Sequence, residues 1–289
     1  MTSSNPSISV DQSPLVSVCI PVYNGSRYIA ETVESVLRQT WQNWELIVVD
    51  NASTDDTAPI LERLMAASSD PRIKVHRNPC TVAAPENWNV AVRAAQGEFI
   101  KLLCADDVLY PGCLESQVKI FDAHPRVTVV AGARTVINAA GNRLFTRCGI
   151  AKEGVYVGRD MVRRCLLSGT NIIGDPVVVM CRRSSIEEVG LFDPTVVYCT
   201  DLEMWLRLLG VGDLYFSTDP VGYYRIHGGA AARGFRNVVV RDFLHTASLQ
   251  EKRGTVKFTQ FERKQMAVKS YAQGLIRQWL YRFLGGEKS

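Results

Sequence analysis

The sequence predicts an α/β fold: a mainly parallel sheet covered by helices on both faces, followed by a helical C-terminal tail. Two observations carry this. Short runs of strand length recur at Val16–Val22, Glu45–Val49, Arg72–His76 and Glu98–Leu103, with helix-spaced segments between them. Three β-then-α units within about 90 residues leave each connection long enough to cross over, which is the pattern of a parallel sheet.

The elements follow in order. Val16–Val22 reads as a buried strand. Ser26–Gln39 reads as a helix, with Ile29, Val33, Val36 and Leu37 on one face. Glu45–Val49 is a second buried strand, ending at Asp50. Ser53 opens the next helix, with Asp56 at capping-box spacing and Pro59 in the first turn. Ile60, Leu61, Leu64 and Met65 form that helix's apolar face. Arg72–His76 is a third strand, Glu86–Ala95 a helix and Glu98–Leu103 a fourth strand.

The second half is less regular. Val127–Ala131 reads as a strand and is followed by a hairpin-like stretch at Gly141-Asn142. Asp160–Leu167 is a helix, Val177–Cys181 a strand, and Ser184–Val189 a short helix closed by Gly190. Asp201–Leu209 is an amphipathic helix carrying Leu202, Trp205, Leu206 and Leu209. Gly222–Ile226 is strand-like and runs into His227. From Val238 onward the chain reads as mostly helical. With no internal repeat or low-complexity linker, it divides into a Ser/Pro-rich disordered leader (1–14), one α/β domain (15–237) and a helical, basic extension (238–289).

A chain of 289 residues holds one large α/β domain or two small ones, and 46% hydrophobic residues allow a sizeable core. The net charge of +4 is unevenly spread. Nine Lys/Arg and three Glu lie between 251 and 289, so the tail carries more positive charge than the whole chain. Membrane surface and nucleic acid are the anionic partners such a tail brings to mind. Eight scattered cysteines without metal-ligand spacing are the usage of a reduced, cytosolic protein. The polar N-terminus is not expected to be a signal peptide, and no apolar stretch reaches the ~18–20 residues of a membrane span.

The run Phe99–Leu103 ends in Cys104-Ala105-Asp106-Asp107. Two adjacent carboxylates cannot sit unpaired in a core, because an unpaired buried charge costs several kcal/mol. At the carboxyl end of a strand in an open α/β sheet they face the ligand crevice, where a divalent cation and phosphate oxygens can meet them. The competing reading is a solvated strand-to-turn corner.

Five ordered blocks carry a family resemblance: SVCIPVYNG; ETVESVLRQTWQNWELIVVDNASTDDT; NWNVAVRAAQGEFIKLLCADD; EEVGLFDP with TDLEMWLRL; and YRIHGG. Together, over roughly residues 15–230, the chain resembles the inverting family 2 glycosyltransferases of GT-A fold. The resemblance implies a nucleotide-diphosphate sugar donor, UDP-, GDP- or dTDP-linked, and a Mn2+ or Mg2+ cofactor. It places the nucleotide near Pro21, Tyr23 and Asn24, gives Asp50 the base or ribose, and puts Asn89 in the donor pocket. Asp106 matches the ribose or metal-water position, and Asp107 the metal ligand. Cys104 stands where many members have Asp and reads as packing; Trp88 stands where many have Arg. Asp201 matches the catalytic base, with Glu203 as fallback, while a capped helix start at Thr200 is the competing reading. His227 matches a metal ligand and Arg225 a phosphate partner.

The expected activity is metal-dependent, inverting transfer of a sugar to a hydroxyl on a glycan or lipid-linked acceptor, in surface polysaccharide or glycoconjugate assembly. Nucleic acid is not an expected partner. A non-catalytic nucleotide-sugar or glycan-binding module is one alternative. A nucleotidyltransferase is another, although Tyr23-Asn24-Gly25-Ser26 lacks its Gly-rich basic loop. The tail Phe258–Leu284 mixes aromatics with Lys and Arg. It could lie on an anionic membrane at the cytoplasmic face, or pack on the domain or on a second copy; packing is preferred.

Overall fold

The computed structural model describes residues 13–227 and 236–284. Nearly all of the leader, and Gly228-Gly229, lie outside them. The first half runs β1 (Val16–Val22), α1 (Ile29–Leu37), β2 (Trp44–Asp50), α2 (Thr57–Ser68), β3 (Ile73–Arg77), α3 (Ala84–Ala94) and β4 (Phe99–Leu102). β1 pairs in parallel with β2 and β4, and β2 with β3. Every residue of β1 and β2 is buried, as helices on both faces require. Pro21 is tolerated within β1 because the β4 pairing stops at Cys19, so its missing N–H leaves no gap in that ladder.

The second half continues with β5 (Val108–Leu109), α4 (Cys113–Ala123), β6 (Val127–Asn138), β7 (Arg143–Arg147), β8 (Gly154–Tyr156) and α5 (Gly158–Ser168). It ends with β9 (Met180–Arg182), α6 (Arg183–Val189), α7 (Thr200–Val211), β10 (Asp213–Ile226), α8 (Arg236–Lys252) and α9 (Gln260–Leu284). The sheet order is β3-β2-β1-β4-β9-β6-β10-β5, with β7 on β6 and β8 on β10. Its long ladders are parallel, including β6 with β10; the antiparallel pieces are short.

Two local expectations are corrected. Val177–Cys181 is not one strand: Pro176–Val178 makes a 3-10 turn before the three-residue β9. Ser53 does not cap α2; Asp55 does the equivalent work, accepting from the Thr57 N–H (3.0 Å) and its hydroxyl.

The tail is part of the packing. Asp242 of α8 accepts from the Val197 and Tyr198 N–H groups (3.0 and 2.7 Å), fixing the segment before α7. On α9, Glu262 pairs with Arg163 of α5, and Lys269 donates to the Leu167 carbonyl (3.0 Å). Met266 and Ser270 are buried on the inner face. Phe261, Val268, Leu275, Trp279 and Phe283 fall on the opposite face and are exposed. Among the described residues no helix is long and apolar enough to cross a membrane.

Candidate active site

The site forms where β1 and β4 end side by side and their connections diverge. The Leu103 N–H donates to the Cys19 carbonyl (2.9 Å), and the Asp107 N–H to the Cys104 carbonyl (3.1 Å). This tight turn brings ligand atoms of Cys104, Asp106 and Asp107 within 4.8 Å of one another.

The end of β10 clamps that turn. The Arg225 N–H donates to Asp107 Oδ1 (2.9 Å), and Arg225 Nε to the Asp106 carbonyl (2.8 Å). The same guanidinium pairs with Glu31 (2.6 Å) and stacks 4.6 Å over the Tyr28 ring. His227 Nε2 lies 2.9 Å from Asp106 Oδ2 and packs against Tyr28. Burial, then the Asp106 charge, pushes the Asp107 carboxyl well above the usual range. Burial and the same two acids push the Cys104 thiol up, so it stays protonated. Asp107 thus sits where its charged form is disfavoured by burial and by Asp106, a setting that a divalent cation offsets.

The opposite wall is α7. The Thr200 hydroxyl is not a cap, because it donates to the Val196 and Val197 carbonyls (2.7 and 3.1 Å). Asn171 Nδ2 donates to Asp201 Oδ2 (3.1 Å), while Asn171 Oδ1 takes the Ile173 and Gly174 N–H groups (both 3.0 Å). Burial, then the Asp175 charge, pushes the Asp201 carboxyl up to about 7, against the Leu202 N–H and the Arg277 charge. Glu203 is corrected as a fallback base. It is fully buried and paired with Arg207 (2.9 Å) and Arg253 (2.6 Å).

Asp106, Asp107 and Asp201 line one cavity of about 330 Å³. Cys104, Trp88 and Asp175 share it, and α9 closes one side with Gln273, Gly274 and Arg277. Arg225 and His227 sit behind the acidic turn rather than on this wall. Arg225, expected on a phosphate, is instead the strut between Glu31 and Asp106.

The remaining expected residues are not on this cavity. Asn24 takes a left-handed conformation (φ 51°) and binds the α2 approach: its N–H donates to Ser53 Oγ and its Oδ1 accepts from the Thr54 N–H, both at 2.9 Å. Tyr23 is exposed and Pro21 buried beside it. Asp50 is buried, holds Arg77 and the Ser53 N–H (3.0 Å), and borders a separate cavity of about 370 Å³ between α2 and β3. Asn89 is corrected as a donor-pocket residue. Its amide is consumed by the Phe192 main chain, accepting at 2.8 Å and donating at 3.0 Å. It anchors the segment after α6, whose carbonyls Arg207 also takes up.

A family model described as glycosyl transferase family 2 matches residues 17–190. The chain belongs to glycosyl transferase family 2. An uncharacterized protein of Mycobacterium tuberculosis is 31% identical to this family 2 chain over 204 residues, covering 68% of it and 62% of the relative. An uncharacterized glycosyltransferase of Rickettsia typhi is 27% identical over 219 residues, covering 74% of the chain and 65% of the relative. The chain thus spans about two thirds or less of these relatives' own length. Among solved structures, S. aureus TarS in complex with UDP-GlcNAc superposes with a TM-score of 0.68 at 18% identity, over 93% of the chain and 73% of TarS. The Pyrobaculum calidifontis mannosyltransferase PcManGT, in complex with GDP-Man and Mn2+, gives 0.60 at 19%, over 94% and 74%. These likenesses establish the GT-A fold for this family 2 member.

Sequence reasoning missed Asn171, Asp175 and Arg277. The first two lie in an irregular loop with no periodic signal. Arg277 is one cation among many in a basic tail, and only the docking of α9 distinguishes it.

Proposed function

We propose that this chain is an inverting glycosyltransferase that moves a sugar from a nucleotide-diphosphate donor to a hydroxyl acceptor. The observation that carries the reading is Asp201: a carboxylate raised to about 7 on the same cavity as the Asp106–Asp107 turn. Asp201 takes the proton from the acceptor hydroxyl as that oxygen bonds to the anomeric carbon. The bond from that carbon to the diphosphate oxygen breaks on the opposite face, and the nucleoside diphosphate leaves. Asn171 orients the base.

Asp107 and Asp106 would hold a divalent cation, which suits their oxygen donors and the raised Asp107 carboxyl; Cys104, protonated and soft, does not. When bound, such an ion offsets charge on the departing diphosphate. Arg225 and His227 set the turn's shape. TarS with UDP-GlcNAc and PcManGT with GDP-Man and Mn2+ support a nucleotide-sugar donor without deciding which. A screen of UDP-, GDP- and dTDP-sugars with and without Mn2+ by thermal stabilisation tests the reading. Saturating donor should stabilise the chain by a few kcal/mol, and no response to any donor would sink it. For setting, we place the chain at the cytoplasmic face of a membrane, in surface polysaccharide or glycoconjugate assembly, with the outer face of α9 as the contact surface.

A further inference from the structure

Arg134 and Arg147 face each other across the β6–β7 ladder as directly opposed residues. Like charges opposed across strands destabilise a sheet. Arg134 is offset by Asp175, with Nε 2.8 Å from Oδ2. The Arg147 side chain makes no hydrogen bond or ion pair among the described residues, and it is only partly exposed. Arg277 of α9 comes from the other side and donates to the Tyr198 hydroxyl. All three line a side cavity of about 50 Å³, on which Asp175 is the only carboxylate among the described residues. That cavity shares Thr170, Asp175, Tyr224, Gln273 and Arg277 with the main cavity holding Asp201. Burial, with Arg134 and Arg277 adding to it, holds the Arg147 guanidinium below its usual range. Three guanidinium groups from three elements therefore converge on a space too small for a sugar but suited to one anionic group, with one carboxylate between them.

We propose that Arg134, Arg147 and Arg277 form an anion subsite that recognises a phosphate or carboxylate on the acceptor and thereby presents its hydroxyl to Asp201. Guanidinium forks suit both groups through paired N–H···O bonds. The acceptor assignment rests on the transferase reading above; the anion site itself does not.

The test is calorimetric titration of the full chain with glucose 1-phosphate, glucuronate and neutral methyl glucoside, using wild type, Arg147→Gln and Arg277→Gln. Thermal melts accompany each. Wild type should bind one or both anionic probes and not the neutral one, and the phosphate and carboxylate arms decide between the two groups. Each substitution should weaken binding at least tenfold. Arg147→Gln should melt at the same temperature as wild type or higher, since it removes a like-charge contact. Equal binding of the neutral probe would overturn the proposal. So would unchanged anion affinity in both variants, or an Arg147→Gln chain that melts lower while binding normally, as a structural arginine would. Nucleotide-sugar hydrolysis by wild type is read separately. Its absence counts against the transferase reading and leaves the anion site standing.

Discussion

Asn171 Nδ2 sits 3.1 Å from Asp201 Oδ2, and the other end of the same amide closes the turn at Ile173 and Gly174. The loop after α5 and the first turn of α7 are thereby tied to one another at the proposed base. Asp201 is held by a neutral donor in a buried setting, which leaves its carboxyl free to take a proton near neutrality.

Asp201→Asn keeps the shape and the Asn171 contact region but cannot accept the proton. Turnover should fall roughly 10²–10⁴-fold with little change in nucleotide affinity. In wild type, kcat/KM should rise with pH below about 7 and level off above it. A profile flat down to pH 5, or a loss under tenfold in the variant, would remove Asp201 as the base.

The same group sets a stability trend. Its folded value of about 7 lies above the ordinary ~3.9. Between roughly pH 4 and 7 the folded chain therefore holds a proton the unfolded chain has lost, and this group's contribution to stability falls as pH rises through that window. Asp201→Asn should show a shallower decline than wild type in denaturant titrations at pH 5 and 8. Parallel declines would contradict the raised value.

Asp107→Ala should abolish Mn2+-dependent stabilisation by a nucleotide sugar while the chain stays folded. The substitution also leaves the buried Arg225 N–H without its acceptor, so a stability cost of about 1–3 kcal/mol is expected. Thermal melts with donor, Mn2+ and excess chelator check this, and a variant that still responds to Mn2+ would exclude Asp107 as ligand.

Glu203→Gln should destabilise the fold by about 3–5 kcal/mol, because it leaves the buried Arg207 charge without its counter-ion. Urea denaturation measures it. A cost under ~1 kcal/mol would mean that the carbonyls of residues 189–191 suffice for Arg207.

The outer face of α9 predicts sedimentation of the intact chain with anionic vesicles at low salt. Each Lys or Arg near such a surface contributes on the order of 1 kcal/mol, and salt screens it. Release at high salt is expected, and no binding at low salt would leave a second copy as the face's partner.

The β-α alternation through β4 was legible because apolar runs and helical spacing repeat there without interruption. The acidic turn was legible as two adjacent Asp at a strand end, although the pair alone also fits a solvated strand-to-turn corner. Helix α4 was not read from the sequence, although its buried residues Cys113, Leu114, Gln117, Val118 and Phe121 follow helical spacing. β10 was legible only at Gly222–Ile226, since register shifts on either side of Pro220 interrupt its pattern. Asn89 and Arg225 were visible as residues, but their partners, the Phe192 main chain and Glu31, are distant in sequence. No local pattern distinguishes a buried strut from a ligand contact.

Helix α9 turns Gln273 and Arg277 toward the cavity and Phe261, Trp279 and Phe283 away from the domain. The wall it gives the cavity, with Gln273, Gly274 and Arg277, lies beyond the 17–190 segment matched by the family model, as Asp201 does, and is remote in sequence from the Asp106–Asp107 turn. On the roles proposed above, the donor-facing turn and the acceptor-facing wall lie in separate stretches of the chain. Exchange of the last helix between relatives would therefore change one wall of the cavity and, through Arg277, the charge felt at Asp201, while leaving the Asp106–Asp107 turn in place.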